Sequence, residues 1–161
     1  MITKTTACAL RLLQYVAGNK EGPGPVSLRR AARDLEESPS YIAKIARDLV
    51  KAGILRSERG VRGGVILNRS RDQLTLLDVV QACQGTLLAD NCQAKCSTDG
   101  VCSYHRAAVE LRDATVAVLE RWSLARLMVR PSVMRVGSAS ACIMARAQKT
   151  KLAPGSDGGA A

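Results

Sequence analysis

The sequence predicts a mainly α fold with one small β-hairpin wing, a winged helix-turn-helix unit followed by a long helix. Three observations predict it. Two short helical patterns follow each other across a tight turn within residues 27–53. A hairpin rich in glycine and arginine, "ILRSERGVRGGVILN", comes directly after them. A helical pattern free of Gly and Pro, "SYHRAAVELRDATVAVLERW", then spans residues 103–122.

The elements follow in order. Residues 4–18 read as a first helix, with Leu10, Leu13, Tyr15, Val16 and Ala17 supplying a broad apolar face and Gly18-Asn19 stopping it. Arg11 and Gln14 interrupt this apolar run, which sets it apart from a signal peptide. "EGPGP" (21–25) cannot continue a helix and reads as a loop. Ser27 is placed to cap the second helix, "LRRAARDLEE". Ser38 and Pro39 are suited to the cap and first position of the third helix, and Gly53 to its C-terminal end. Within that helix Ile42, Ile45, Ala46, Leu49 and Val50 form one apolar stripe, and Ser40, Lys44, Arg47 and Lys51 lie opposite. Ile54-Leu55 and Val65-Ile66-Leu67 are the strands of the hairpin. Thr75 caps "LLDVVQACQ", which Gly85 ends, and Ser123 caps a last short helix, "LARLMV". In the long helix Ala108, Leu111, Ala114 (with Thr115), Val118 and Leu119 share one side. Residues 131–161 form a tail whose end, rich in Gly, Ala and Ser, reads as disordered.

Length and charge narrow the function. The 161 residues, 47% hydrophobic, suffice for one domain or for a small domain with an arm. No run reaches the roughly 18 apolar residues of a membrane helix, so a cytoplasmic protein is expected. The net charge is +10, and residues 1–70 carry 13 Lys/Arg against 6 Asp/Glu, while 71–161 carry 11 against 8. The anionic partner is therefore expected on the first half. Three Tyr, one Trp and no Phe provide few platforms for stacking single-stranded bases, which favours duplex DNA. A helix-turn-helix suits the major groove. Lys44, Arg47 and Lys51 are placed for phosphates, and Ser40 or Tyr41 for a base edge or phosphate. In the hairpin Arg56, Arg59 and Arg62 surround Gly60, Gly63 and Gly64, a tip able to approach DNA and insert an arginine into the minor groove.

The loop "NCQAKCSTDGVCSYH" holds three cysteines and the only histidine. Cys92, Cys96, Cys102 and His105 have the spacing C-x3-C-x5-C-x2-H, a four-ligand set for zinc or an iron–sulfur cluster, and spacing does not choose between them. A thiol oxidoreductase fits poorly, because no C-x-x-C pair is present. No enzymatic constellation emerges. Cys8 and Cys83 read as buried small hydrophobes and Cys142 as a free thiol.

The order of these parts resembles the Rrf-two type of bacterial winged helix-turn-helix transcription regulators, in particular its IscR-like iron–sulfur members. The resemblance covers about residues 1–130 and is carried by "SPSYIAKIARDLVKAGILRSERGVRGGVIL", "LTLLDVVQACQG", "NCQAKCSTDGVCSYH" and "LRDATVAVLERWSLARLM". It implies a winged-helix DNA-binding domain over 1–70, a cluster-binding loop and dimerisation helices over 71–130, and a tail over 131–161. It implies a homodimer on a palindromic promoter site, with cluster state changing DNA affinity. Cys92, Cys96 and Cys102 then correspond to the cysteine ligands and His105 to the histidine of the IscR type, which favours [2Fe–2S]. Two departures stand out: only Gln93-Ala94-Lys95 separate Cys92 and Cys96, where the family usually has five residues, and Ala7 replaces the aspartate of its nitric-oxide sensors. Ala43 stands where IscR-like proteins use an acidic side chain to choose sites, so no promoter sequence carries over.

Overall fold

The computed structural model describes residues 2–19, 24–60, 63–86 and 103–129. In chain order these form α1 (Lys4–Ala17), α2 (Leu28–Asp34), α3 (Pro39–Lys51), β1 (Leu55–Glu58), β2 (Gly64–Leu67), α4 (Leu76–Gln84), α5 (Ser103–Arg121) and α6 (Leu124–Met128).

The first helix, α1, is the centre of the fold. Its apolar residues leave no continuous polar face, and a helix of that kind must be covered on all sides. Thr6, Cys8, Ala9, Leu10, Leu12, Leu13 and Val16 are all buried. Helices α3, α4 and α6 and strand β2 pack around it. The resulting core joins Ile42, Ile45 and Leu49 of α3 to Leu74, Val79, Val80, Leu119 and Leu124, so it runs across the boundary at residue 70.

Helix ends follow local chemistry. Ser38 accepts a hydrogen bond from the Tyr41 N–H at 3.3 Å, with Pro39 in the first turn of α3. Gly53, at φ +69°, ends α3, with Ile54 N–H donating to Leu49 and Gly53 N–H to Val50, a Schellman arrangement. The α2 helix ends the same way three residues before the sequence pattern suggests: Glu37 N–H reaches Ala32, Glu36 N–H reaches Arg33, and Glu36 takes the left-handed φ of +56°. Ser27 stands at the cap of α2, but its side chain makes no capping bond. Thr75 and Asp78 form a reciprocal capping box at α4.

The hairpin is antiparallel, with Leu55 opposite Leu67 and Glu58 opposite Gly64. On the other edge of β2 Val26 adds a single rung through paired bonds with Val65, 2.9 and 3.0 Å. A Cβ on Gly64 would lie 2.3 Å from the Val26 carbonyl oxygen, so this rung requires glycine.

Candidate nucleic-acid interface

Helix α3 separates its two faces sharply. Ile42, Ile45, Ala46 and Leu49 are buried, while Ser40, Lys44, Arg47 and Lys51 are exposed along one stripe. No acidic residue lies on that stripe; Asp48, the only acid of the helix, is half-buried.

The supports of α3 are polar and were not legible as such. Arg11 of α1 is 7% exposed. Its guanidinium donates to Glu37 at 3.1 Å and to the Leu35 carbonyl, tying α1 to the turn between α2 and α3. A charged group so deep in a core is held by such pairing, and an arginine that interrupts the apolar run of α1 is the signal the sequence offers. Tyr15 donates to Asp34 at 2.6 Å. That bond, helped by Arg33 and Arg30 and opposed by burial, lowers the Asp34 carboxyl below its ordinary range.

Among the described residues expected to face DNA, Lys44, Arg47, Lys51 and Arg59 are exposed and basic and Ser40 is exposed and polar, while Tyr41 and Gly63 are half-buried. Arg59 is exposed at the wing tip, beside an exposed Arg56–Glu58 pair at 2.9 Å. Tyr41 is half-buried, and its hydroxyl donates to Thr5 of α1 at 3.3 Å. Gly63 lies within the wing turn, its N–H donating to Gly60 at 2.9 Å, and a Cβ there would sit 2.8 Å from the Glu58 oxygen. The glycine is thus required by the wing's own backbone. Arg62 lies outside the described residues. On α2, Arg29, Arg30 and Arg33 are exposed and extend the basic surface; the segment "LRRAAR" is the signal that carries them.

Of the metal-ligand set, Cys92, Cys96 and Cys102 lie outside the described residues. His105 is in the first turn of α5 and half-buried. Among the described residues no three His, Cys, Asp or Glu side chains gather as a metal site. Burial pushes the Cys8 thiol up to about 11, and it also raises that of Cys83, with Asp48 adding and the Thr6 hydroxyl opposing. Thiols held protonated are poor ligands, which agrees with their reading as packing residues.

Helix α4 connects the wing to this region. Burial alone would raise the Asp78 carboxyl, but the Thr75 N–H, Arg69 at 2.9 Å and the Thr75 hydroxyl outweigh it and hold it below the ordinary range. Helix α5 packs little: of its residues only Leu119 is buried. Tyr104, Leu111 and Val118 are 73, 60 and 45% exposed, so the apolar side expected of this helix is left mostly open within one chain.

Comparison with known proteins agrees with this architecture. The Rrf2 family, described as an iron-dependent transcriptional regulator, matches residues 2–130. Protein aau3 of Rhizobium meliloti is 29% identical over 137 residues, 82% of this chain and 88% of that protein. The HTH-type transcriptional regulator IscR of Cronobacter sakazakii is 28% identical over 84% of each chain. The structure of CymR, the global cysteine regulator of Bacillus subtilis, superposes with a TM-score of 0.63 at 26% identity, covering 79% of this chain and 95% of that one. With a winged helix of the same order and a match over nearly its whole described length, the chain belongs to the Rrf2 family of transcriptional regulators.

Proposed function

We propose that this chain is a cytoplasmic, homodimeric regulator rather than an enzyme. It reads a palindromic promoter site in double-stranded DNA under the control of an iron–sulfur cluster, [2Fe–2S]. The observation that carries the DNA reading is the exposed stripe of Ser40, Lys44, Arg47 and Lys51 beside the wing with Arg59. Lysine and arginine there neutralise phosphates, Ser40 meets the groove at the helix N-terminus, and Arg59 and Arg62 enter the minor groove.

The second copy is supported by α5. A helix of 19 residues with one buried side chain is marginal alone. Tyr104, Leu111 and Val118 recur every seven residues, with Ala107 and Ala114 between them, a seam for another helix. Two copies joined there hold their recognition helices about 34–36 Å apart, one DNA turn. Leu111→Glu is expected to shift the protein from dimer to monomer in sedimentation velocity; an unchanged dimer counts against this seam.

Cys92, Cys96, Cys102 and His105 would hold the cluster, since three thiolates and one imidazole are a donor set of the right softness. Bound there, a cluster supplies redox and nitric-oxide reactivity that side chains lack. The likeness to a cysteine regulator supports a second reading, the same winged helix with structural zinc or with thiols alone.

The test has two arms. Selection of duplexes from a random pool is expected to yield an inverted repeat whose binding weakens steeply with salt. Anaerobic purification with iron, sulfide and zinc analysis is expected to give two irons and two sulfides per chain. One zinc and no iron would leave the DNA reading standing and replace the cluster.

A further inference from the structure

Three helix ends meet beside the recognition helix: the N-termini of α1 and α3 and the C-terminus of α4. Gln84, the last residue of α4, donates to the Thr6 hydroxyl at 2.7 Å across 78 positions of sequence. Thr6 is fully buried. Its hydroxyl lies 3.2 Å from that of Thr3, which caps α1 by accepting the Thr6 N–H. The adjacent Thr5 accepts the hydrogen of Tyr41, in the first turn of α3. Placing one carboxyl-terminal end among two amino-terminal ends is also favourable for the helix dipoles.

We propose that Thr5 and Thr6 are positioning residues for DNA binding. Thr6, held by Gln84, fixes the first turn of α1, and Thr5 on that turn holds Tyr41 and with it the angle of α3. The inference rests on the DNA reading above. It gives Tyr41 a role inside the protein and makes α4, the helix that leads toward the cysteines, a mechanical neighbour of the recognition helix.

The experiment uses the full chain and a duplex selected by the wild type from a random-sequence pool. Thr5→Val and Tyr41→Phe are each expected to weaken binding about threefold to tenfold, the range for one lost neutral hydrogen bond. The double variant is expected to be no weaker than the weaker single one, since both remove the same bond. The slope of log affinity against log salt stays unchanged, because no phosphate contact is lost, and Thr5→Ser restores the affinity. Gln84→Ala, far from the basic stripe, is expected to weaken binding with the same slope, and it carries the test if Thr5→Val lowers the melting temperature. Wild-type affinity in all variants overturns the proposal. So does a loss confined to Tyr41→Phe with the slope reduced by about one, the mark of a phosphate contact. If the wild type selects no duplex, the DNA reading itself falls, and this proposal with it.

Discussion

Replacing Gly64 by alanine tests whether the wing is anchored where the structure places it. The added methyl carbon would stand 2.3 Å from the Val26 oxygen and 2.6 Å from its carbonyl carbon, with the Ser27 nitrogen at 3.1 Å. All are backbone atoms, so no side chain can swing away. The rung between Val26 and Val65 must open, with loss of bonds of 2.9 and 3.0 Å. Two such bonds contribute about 0.5–1.5 kcal/mol each, and overpacking at a tight contact costs about 1–3 kcal/mol. Together they predict destabilisation of about 2–6 kcal/mol. Urea unfolding at fixed protein concentration reads this as a lower midpoint with an unchanged slope. Two other glycines calibrate the result. Gly53, at φ +69° in open space, loses only the left-handed preference on change to alanine, about 1 kcal/mol. Gly24 has neither constraint, and alanine there is expected to be neutral. A Gly64→Ala protein within about 0.5 kcal/mol of wild type, the usual range for unconstrained surface changes, would refute the close approach of Val26.

Arg11→Met leaves the Leu35 carbonyl unpaired and Glu37 without its cation, so a loss of about 2–4 kcal/mol is expected in the same unfolding assay. Lys44→Ala is expected to weaken binding evenly across sequences and to reduce the salt slope by about one, measured by fluorescence anisotropy. Asp78→Asn weakens the capping box, at a cost of about 1 kcal/mol at neutral pH. The Asp78 carboxyl lies lower in the folded than in the unfolded protein, so the unfolded chain takes up its proton first as pH falls. The wild type therefore loses this contribution from the ordinary aspartate value downward, and the variant curve should converge on the wild-type curve in acid.

Periodicity made most of the fold legible. The stripe of Ile42, Ile45 and Leu49 and the opposite stripe of Lys44, Arg47 and Lys51 appear in the sequence as they do in the structure. Turn and cap chemistry at Ser38, Gly53 and Thr75 was equally local and equally readable. What was not readable depends on neighbours distant in sequence. Arg11 looked like a break in an apolar run, but it is a buried strut, because its partners at Leu35 and Glu37 are set by the fold. Glu36 ends α2 early in a conformation that favours glycine, which no propensity for glutamate suggests. Leu111 and Val118 were read as one side of a helix, and the fold of a single chain does not cover them. The candidate DNA surface was mostly visible because exposure and charge are local properties, whereas the inward turn of Tyr41 is not.

The central placement of α1 has a consequence for how the protein is made. This helix is synthesised before every element that packs on it, and the last of them comes late: the Gln14 amide bonds the Leu127 carbonyl, 113 positions downstream. At about 5–20 residues per second a ribosome needs roughly 6–20 s to span that distance. Throughout that time the side of α1 that α6 closes stays open, although α3, β2 and α4 are already made. Translation speed and access to nascent-chain chaperones thus bear on how many finished molecules a cell obtains, although neither leaves a trace in the folded form.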